Sequence, residues 1–454
     1  MAGRTLETNS TIRRSVWAGT GIGRWLMLVL VTLFLVSTIG HAADPIPGEQ
    51  WCDRPVDLIS FSGNRVTRSQ VMQRELVQQL NDLCSLDDVI DGIQNVMDLG
   101  LFRSVRAELR ESNDQLELVY VVKEKIFFLP IPRLSRTSDG ELRLGAQLRW
   151  DNFLGRLHQL KITSEKRQED DGKGRSGYVH KLNYSVPRFF GSPYGFGFNI
   201  AGERRNTQLA QDGVVFGEAL RQSERFELRL ARWANQSTGI SGLSYFLGLG
   251  FEQRNYDIKS GEIGPFDEGE DLVLVAGAEI QRIHQETYRR TGHHYSAVFR
   301  MADKFVGSDF RYSRVDLRML WYLPLAKPQT NLNVQLRLGW SNHAPFGHRT
   351  YLIGGGELIR GMESGFRTGN ILTLVNLEYL SGFFTYPAWR WVAFADMGNV
   401  YQNNNVDLFK QNIRAGLGLR WKLLALTNTD IRMDVAWDPD RRKLTPYIST
   451  SVTY

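Results

Sequence analysis

From about Leu142 to the last residue, apolar and polar side chains alternate with a period of two, and helical spacing is nearly absent. The stretch Asn331–Ser341 shows it best. Leu332, Val334, Leu336, Leu338 and Trp340 fall on one face, and Asn333, Gln335, Arg337 and Gly339 on the other. Successive strand side chains point to opposite sides, so each such stretch has one apolar and one polar face. Candidate strands centre near residues 130, 146, 161, 181, 200, 227, 248, 278, 298, 317, 336, 374, 392, 416, 433 and 449. That is about sixteen strands at about 20 residues each with their connections, which suits antiparallel bilayer-crossing strands of about 9–11 residues. In hydrocarbon every backbone group must be paired, so such a sheet has to close into a transmembrane β-barrel. The long connections near 207–219, 257–270 and 342–368 are the expected outer loops.

Residues 57–124 have a different character. Asp57–Asn64 reads as a strand ending in the turn Ser62-Gly63-Asn64. Thr67 to about Leu80 reads as a helix with Val71, Leu76 and Leu80 on its apolar side. Ser85 is a good N-cap for a second helix, with Asp87 and Asp88 in its first turn, apolar spacing at Val89, Ile93, Val96 and Met97, and Gly100 as its stop. Phe102–Glu111 and Leu116–Glu124 read as two strands joined at Ser112-Asn113-Asp114. The order strand–helix–helix–strand–strand makes a small α+β module ahead of the barrel.

Composition changes this picture little. Charged residues are 23% of the chain, and no long apolar run follows the first 40 residues, which argues against helical spans. It does not argue against a barrel, whose lumen and outer loops are polar. Eleven Trp and 43 Gly suit aromatic girdles and tight turns. Residues 1–42 read as a secretory signal: Arg13, Arg14 and Arg24 precede the apolar stretch Trp25–Ile39, and Gly40-His41-Ala42 supplies small residues for cleavage. Cleavage after Ala42 removes four arginines and one glutamate from the formal +6, leaving +3, too mild to imply nucleic acid. The two cysteines, Cys52 and Cys84, both precede the barrel and form a candidate disulfide in an oxidising compartment. A staple on a small domain is the plain reading, and a redox switch is the alternative.

The connection after Ser341 contains Gly354-Gly355-Gly356-Glu357-Leu358-Ile359-Arg360-Gly361-Met362. Three consecutive glycines allow a loop to fold back sharply. Arg360, between apolar neighbours, must reach water or find a carboxylate inside the protein. Outward positions Ile371, Val375, Leu377 and Tyr379 place Glu378 on the lumenal side, and the same parity turns Asp396 and Asp434 inward. Arg360 with Asp396, or Arg360 with Glu378, would pin the loop inside the barrel. Pro130 and Pro132 interrupt the first candidate strand, around Phe127–Leu134, so its closure onto the last, around Thr445–Tyr454, would have few hydrogen bonds. The alternative is that these prolines mark a linker.

These features carry a resemblance. The N-terminal order, with its "SGN" turn and its Leu99-Gly100-Leu101-Phe102-Arg103-Ser104-Val105 link, resembles a POTRA domain. Ile359-Arg360-Gly361-Met362 resembles the inward-loop motif of the BamA/TamA-type outer-membrane assembly and transport family (the bacterial surface antigen family), with Met where an aromatic is usual. Phe394-Ala395-Asp396-Met397-Gly398 matches that family's F-x-D-x-G motif, and Asp151-Asn152-Phe153-Leu154-Gly155 resembles its phrase after an early strand. The resemblance implies a lock of Arg360 and Gly361 onto Asp396, with Glu378 as second partner. It also implies a C-terminal barrel signal in Ile448, Val452 and Tyr454. It implies a signal peptide over 1–42, a POTRA-like periplasmic domain over 43–125, and an outer-membrane barrel over 126–454 with an inward-folded loop at 342–368.

The family implies insertion or translocation of unfolded polypeptides, by strand addition at the periplasmic module and the barrel seam. Its expected partners are an unfolded or secreted client, outer-membrane lipid, and the barrel assembly machinery for its own insertion. A passive pore is the alternative. An outer-membrane lipid enzyme is a further one, but the histidines His284, His293 and His294 have no serine motif beside them. No cofactor is implied, since His, Asp and Glu show no ligand spacing.

Overall fold

The computed structural model describes residues 54–451 apart from residues 113, 137–141, 169–175, 212–213, 235–240, 265, 328, 343–350, 363–366, 384–385, 403–405 and 428–429. The N-terminal module consists of β1 (Leu58–Ser62), α1 (Ser69–Gln73), α2 (Leu86–Asp98), β2 (Phe102–Ser112) and β3 (Gln115–Glu124). Strand β3 lies in the middle, parallel to β1 and antiparallel to β2. The Ser85 side chain accepts from the Asp88 N–H and caps α2. The inner face of α2, Val89 and Val96, packs with Leu116, Leu118, Tyr120 and Val122 of β3 in one apolar core.

One helix is shorter than its periodicity predicts. Instead of running to Leu80, α1 ends at Gln73. Buried Gln78 takes over the local backbone: its Nε2 donates to the carbonyls of Gln79, Asp82 and Leu83, and its Oε1 accepts from the Ser85 N–H. A side chain that satisfies several backbone groups makes turns competitive with helix. Leu80 is consequently exposed.

The rest of the chain forms a sixteen-stranded antiparallel sheet. It begins with β4 (Phe128–Arg136), β5 (Leu142–Phe153), β6 (His158–Gln168) and β7 (Ser176–Val186). It continues through β8 (Tyr194–Gln211), β9 (Val214–Trp233), β10 (Gly242–Gly261) and β11 (Gly269–Gln285). Next come β12 (Arg290–Ala302), β13 (Tyr312–Pro324) and β14 (Asn331–Asn342), then two short strands outside the sheet, β15 (Tyr351–Ile353) and β16 (Arg367–Gly369). It ends with β17 (Ile371–Phe383), β18 (Tyr386–Tyr401), β19 (Asn412–Lys422), β20 (Asp430–Asp438) and β21 (Lys443–Ser451). Every strand of the sheet pairs with its sequence neighbour, β14 pairing with β17 across the β15–β16 insertion.

All sixteen predicted centres fall inside these strands. The lengths do not follow the bilayer estimate: β8, β9, β10 and β11 have 18, 20, 20 and 17 residues. Most of the expected loop 207–219 is therefore ladder, with Gln208 opposite Glu218, and the expected loop 257–270 shrinks to 262–268. Glu203 bridges Arg167, Arg205 and Arg221 across these strands. Leu209, Ala219 and Tyr256 form a small core with Phe216, Ile263 and Phe266 at the hairpin ends. Cross-strand pairs and a local core let pairing continue past the membrane.

The outer face is apolar. On β10, Leu243, Tyr245, Leu247, Leu249 and Phe251 are exposed, whereas Ser244, Glu252 and Arg254 are buried on the inner side. Aromatic pairs sit toward the module-side ends of the strands: Trp389 stacks on Trp421 at 5.1 Å, Tyr379 lies 5.2 Å from Trp391, and Trp321 Nε1 donates to Tyr295 Oη at 2.8 Å. Such a girdle marks a membrane–water boundary. Among the described residues no helix is long and apolar enough to cross a membrane.

The N-terminal module sits on three turns of the barrel. The first, between β5 and β6, carries Asn152 and Gly155. Asn152 Nδ2 donates to Thr67 Oγ1 at 2.9 Å, and the Arg68 N–H donates to the Gly155 carbonyl at 3.0 Å. Gly155 has φ +70°, and a Cβ there would stand 2.0 Å from the Val66 carbonyl oxygen, so only glycine allows this contact. At the second turn Arg188 faces buried Glu75, whose carboxyl is pushed up to about 8 because burial outweighs the nearby Arg188 and Arg74 charges. At the third, Asp98 accepts from the Gln285 N–H at 2.6 Å and meets His284 Nδ1 at 2.8 Å.

The sheet has two ends. Among the described residues β4 pairs only with β5, and β21 only with β20. The chain just before β4 is tied to the β19–β20 turn: the Ile126 N–H donates to the Ala425 carbonyl, and Thr427 Oγ1 donates to the Ile126 carbonyl. Pro130 and Pro132 lie inside β4 rather than in a linker, and Pro446 lies inside β21.

Candidate functional site

The connection between β14 and β17 folds against the inner wall. Tyr351, Ile353, Ile359 and Met362 pack on Leu372 and Leu374 of β17 and Val400 of β18. A tight turn holds its tip, with the Gly355 N–H donating to the Met362 carbonyl at 2.9 Å. Tyr351 Oη donates to the Val315 carbonyl at 2.9 Å, and the Arg314 guanidinium lies 4.1 Å over the Tyr351 ring.

Arg360 projects from this turn into a fully buried cluster, with 2% of its surface exposed. Its Nε and Nη2 each donate to Asp396 at 2.8 Å, a two-pronged pair, and its own backbone N–H reaches the same carboxylate at 3.0 Å. Nη1 donates to Glu378 at 2.7 Å and to Asp434 at 3.1 Å. The guanidinium stands 3.6 Å over the Phe394 ring. Both expected partners are therefore used at once, with Asp396 taking the larger share.

Two more arginines complete the cluster. Arg420 donates to Glu378 at 3.0 Å and to Asp434 at 2.5 Å, and Arg432 donates to Glu378 at 3.1 Å. Three guanidinium groups thus face three carboxylates, and the charges cancel. A buried charge is tolerable only when paired and hydrogen-bonded, which this arrangement achieves. Asn376 adds a neutral brace: its Nδ2 donates to Asp396 and to the Leu358 carbonyl, both at 2.8 Å, and its Oδ1 accepts from Gln335.

Gly361 carries the next link. Its N–H donates to Tyr447 Oη on β21 at 2.8 Å. Its φ is +80°, and a Cβ would lie 3.0 Å from the Trp437 carbonyl oxygen. A side chain would both strain the turn and push it off β20. Met362, where the motif usually has an aromatic, fills the apolar cluster instead.

Comparison with known proteins fits this geometry. The Omp85 superfamily domain matches residues 152–442. The chain belongs to the Omp85 superfamily. A POTRA match, described as a surface antigen variable number repeat, covers residues 55–125 of this Omp85 chain. A putative outer membrane protein assembly factor of Treponema pallidum (strain Nichols) is 23% identical over 165 residues, covering 35% of this chain and 19% of that protein. The matched part therefore spans about a fifth of that relative. Among solved structures, BamA from Haemophilus ducreyi lacking POTRA domains 1–3 aligns with a TM-score of 0.51 at 18% identity, over 88% of this chain and 83% of that one. CdiB from Escherichia coli aligns with a TM-score of 0.62 at 13% identity, over 87% and 76% of the two chains. At these identities the likeness is one of fold.

As an Omp85 protein with a POTRA domain, the chain resides in the outer membrane with that domain in the periplasm. The remaining expected residues of this Omp85 chain scatter. Cys84 is buried and disulfide-bonded, while its expected partner Cys52 lies outside the described residues, as does the signal segment 1–42. Ile448 is exposed on the outer face of β21, and Val452 and Tyr454 lie outside the described residues. Arg420, Arg432, Asn376 and Tyr447 were not among the expected lock residues. Inward parity with Asp396, Asp434 and Glu378 was the signal that places them on the lumenal side.

Proposed function

We propose that this protein inserts or translocates unfolded polypeptides by strand addition at the β4–β21 seam, assisted by the POTRA domain. The observation that carries this reading is that, among the described residues, β4 pairs only with β5 and β21 only with β20, with prolines inside both strands. A proline has no N–H to donate, so it survives inside a sheet only at an edge. Pro130, Pro132 and Pro446 therefore disfavour a full ladder between β4 and β21 and leave edges that an incoming segment can use. The tucked loop supports the same reading, because Gly361 holds Tyr447 and so braces β21 from the lumen. The assembly-factor, BamA and CdiB likenesses agree with a polypeptide client.

A photo-crosslinking amino acid placed at Ile131 should capture client chains in growing cells. Deleting the gene should remove a secreted or barrel protein from the envelope. Client crosslinks arising only from strands other than β4 and β21, with none from Ile131, would overturn the seam. The passive-pore reading draws on a lumenal cavity of about 550 Å³ lined by Lys181, Arg225, Arg300, Arg318 and Arg337. Large, steady bilayer conductance after removal of residues 43–125 would favour it. The lipid-enzyme reading has weaker support, because His284 is engaged with Asp98 in domain docking.

A further inference from the structure

The outward face of the sheet changes character toward the far ends of β6 to β10. One cross-strand row, Ile162, Leu182, Ile200, Phe226 and Phe251, is wholly apolar. Two residues further along, on the same face, the row reads Ser164, His180, Gly202 and Glu224. The row beyond that reads Lys166, Tyr178, Arg204, Gln222 and Asn255. These strand ends lie opposite the turns that carry the POTRA domain, so the lipid they border is that of the outer leaflet.

The polar rows make a shaped patch. His180 Nδ1 lies 3.0 Å from Ser164 Oγ, and the His180 and Tyr178 ring centres are 5.1 Å apart. A Cβ at Gly202 would meet nothing within 4 Å, so the glycine leaves a notch between His180 and Glu224. Lys166 and Arg204 flank Tyr178, two strand spacings or about 10 Å apart at their backbones. Both are exposed, and among the described residues neither side chain has a hydrogen bond or an ion pair. Glu224, across the notch, is exposed and also unpaired among the described residues. Two cations and one carboxylate therefore border the notch.

Long cationic side chains at a membrane boundary lay their stems on apolar surface and carry the charge to headgroup level. Phosphate is the group that such a cation pair matches there. The row beneath offers acyl chains a surface, with Ile200 44% and Phe226 42% exposed. Beside Arg204, the exposed amides of Gln222 and Asn255 can donate to and accept from sugar hydroxyls. Free phosphate would leave the apolar row unused, and a phospholipid would leave the amides unused. We propose that this patch binds a phosphorylated glycolipid of the outer leaflet. Its phosphate sits between Lys166 and Arg204, its sugar over Gln222 and Asn255, and its acyl chains along the row from Ile162 to Phe251.

The test is native mass spectrometry of the full mature protein in detergent, titrated with bis-phosphorylated lipid A and with the same lipid dephosphorylated. The phosphorylated form should bind at least about tenfold tighter, the worth of one charge-assisted contact. Lys166→Gln combined with Arg204→Gln should erase that preference while the barrel keeps its heat-shifted electrophoretic mobility. Lys259→Gln should leave it intact, because Lys259 lies further out on β10 and pairs with Asp257 at 2.6 Å. Equal binding of the two lipids, or a preference that survives the double substitution, overturns the site. An equal loss with Lys259→Gln overturns it too, since that marks diffuse charge attraction. Displacement by phosphatidylglycerol as effective as by lipid A also overturns it, by reducing the patch to a phospholipid contact.

Discussion

Replacing Asp396 by Ala should release the lumenal loop. Asp396 is fully buried and accepts four hydrogen bonds: three from Arg360 and one from Asn376. Removing one partner of a buried pair costs about 3–5 kcal/mol, because the other charge is left desolvated. Glu378 and Asp434 still face Arg360 in the variant, so the lower end, about 3 kcal/mol, is the working figure. At about 1.4 kcal/mol per tenfold, the ratio of tucked to released loop should fall by about a hundredfold. The assay is limited trypsin digestion of the protein in detergent, with mass spectrometry following cleavage between Arg360 and Gly361. The wild-type bond should resist, and Asp396→Ala should cut fast. Asp434→Ala should have a smaller effect, since Asp434 gives Arg360 one bond at 3.1 Å against the three from Asp396. Equal protection of Arg360 in the wild type and Asp396→Ala would refute the lock.

Tyr447→Phe should loosen the last strand from the loop by about 1 kcal/mol, the worth of one neutral hydrogen bond, seen as faster amide exchange at Gly361. Gly155→Ala should undock the POTRA domain, because the added methyl meets the Val66 carbonyl, and exchange in residues 66–75 should rise while barrel mobility on gels stays unchanged. Glu75, whose folded carboxyl is raised to about 8 from an ordinary 4.5, keeps its proton when folded but loses it when exposed. Its contribution is therefore most favourable at low pH and declines as pH rises from about 4.5 to 8, so exchange protection around α1 should drop across that window and Glu75→Gln should flatten the drop.

Much of this protein is legible in the order of its residues. Period-two alternation located the fifteen strands from β5 onward, since the pleat forces neighbours onto opposite faces. The same parity turned Glu378, Asp396 and Asp434 inward, and the glycines around Arg360 marked the segment that leaves the wall. Parity says which face a side chain takes. It does not say how far along the barrel axis that side chain sits. That height depends on register between strands distant in sequence, so only the tertiary structure brought Arg360, Arg420 and Arg432 level with three carboxylates and set Tyr447 beneath Gly361. The same limit hid the long β8–β11 ladder, which is maintained by ion pairs between strands, and the early end of α1, where Gln78 bonds to backbone that no periodicity describes. Local pattern determines direction, and long-range packing determines which inward groups meet.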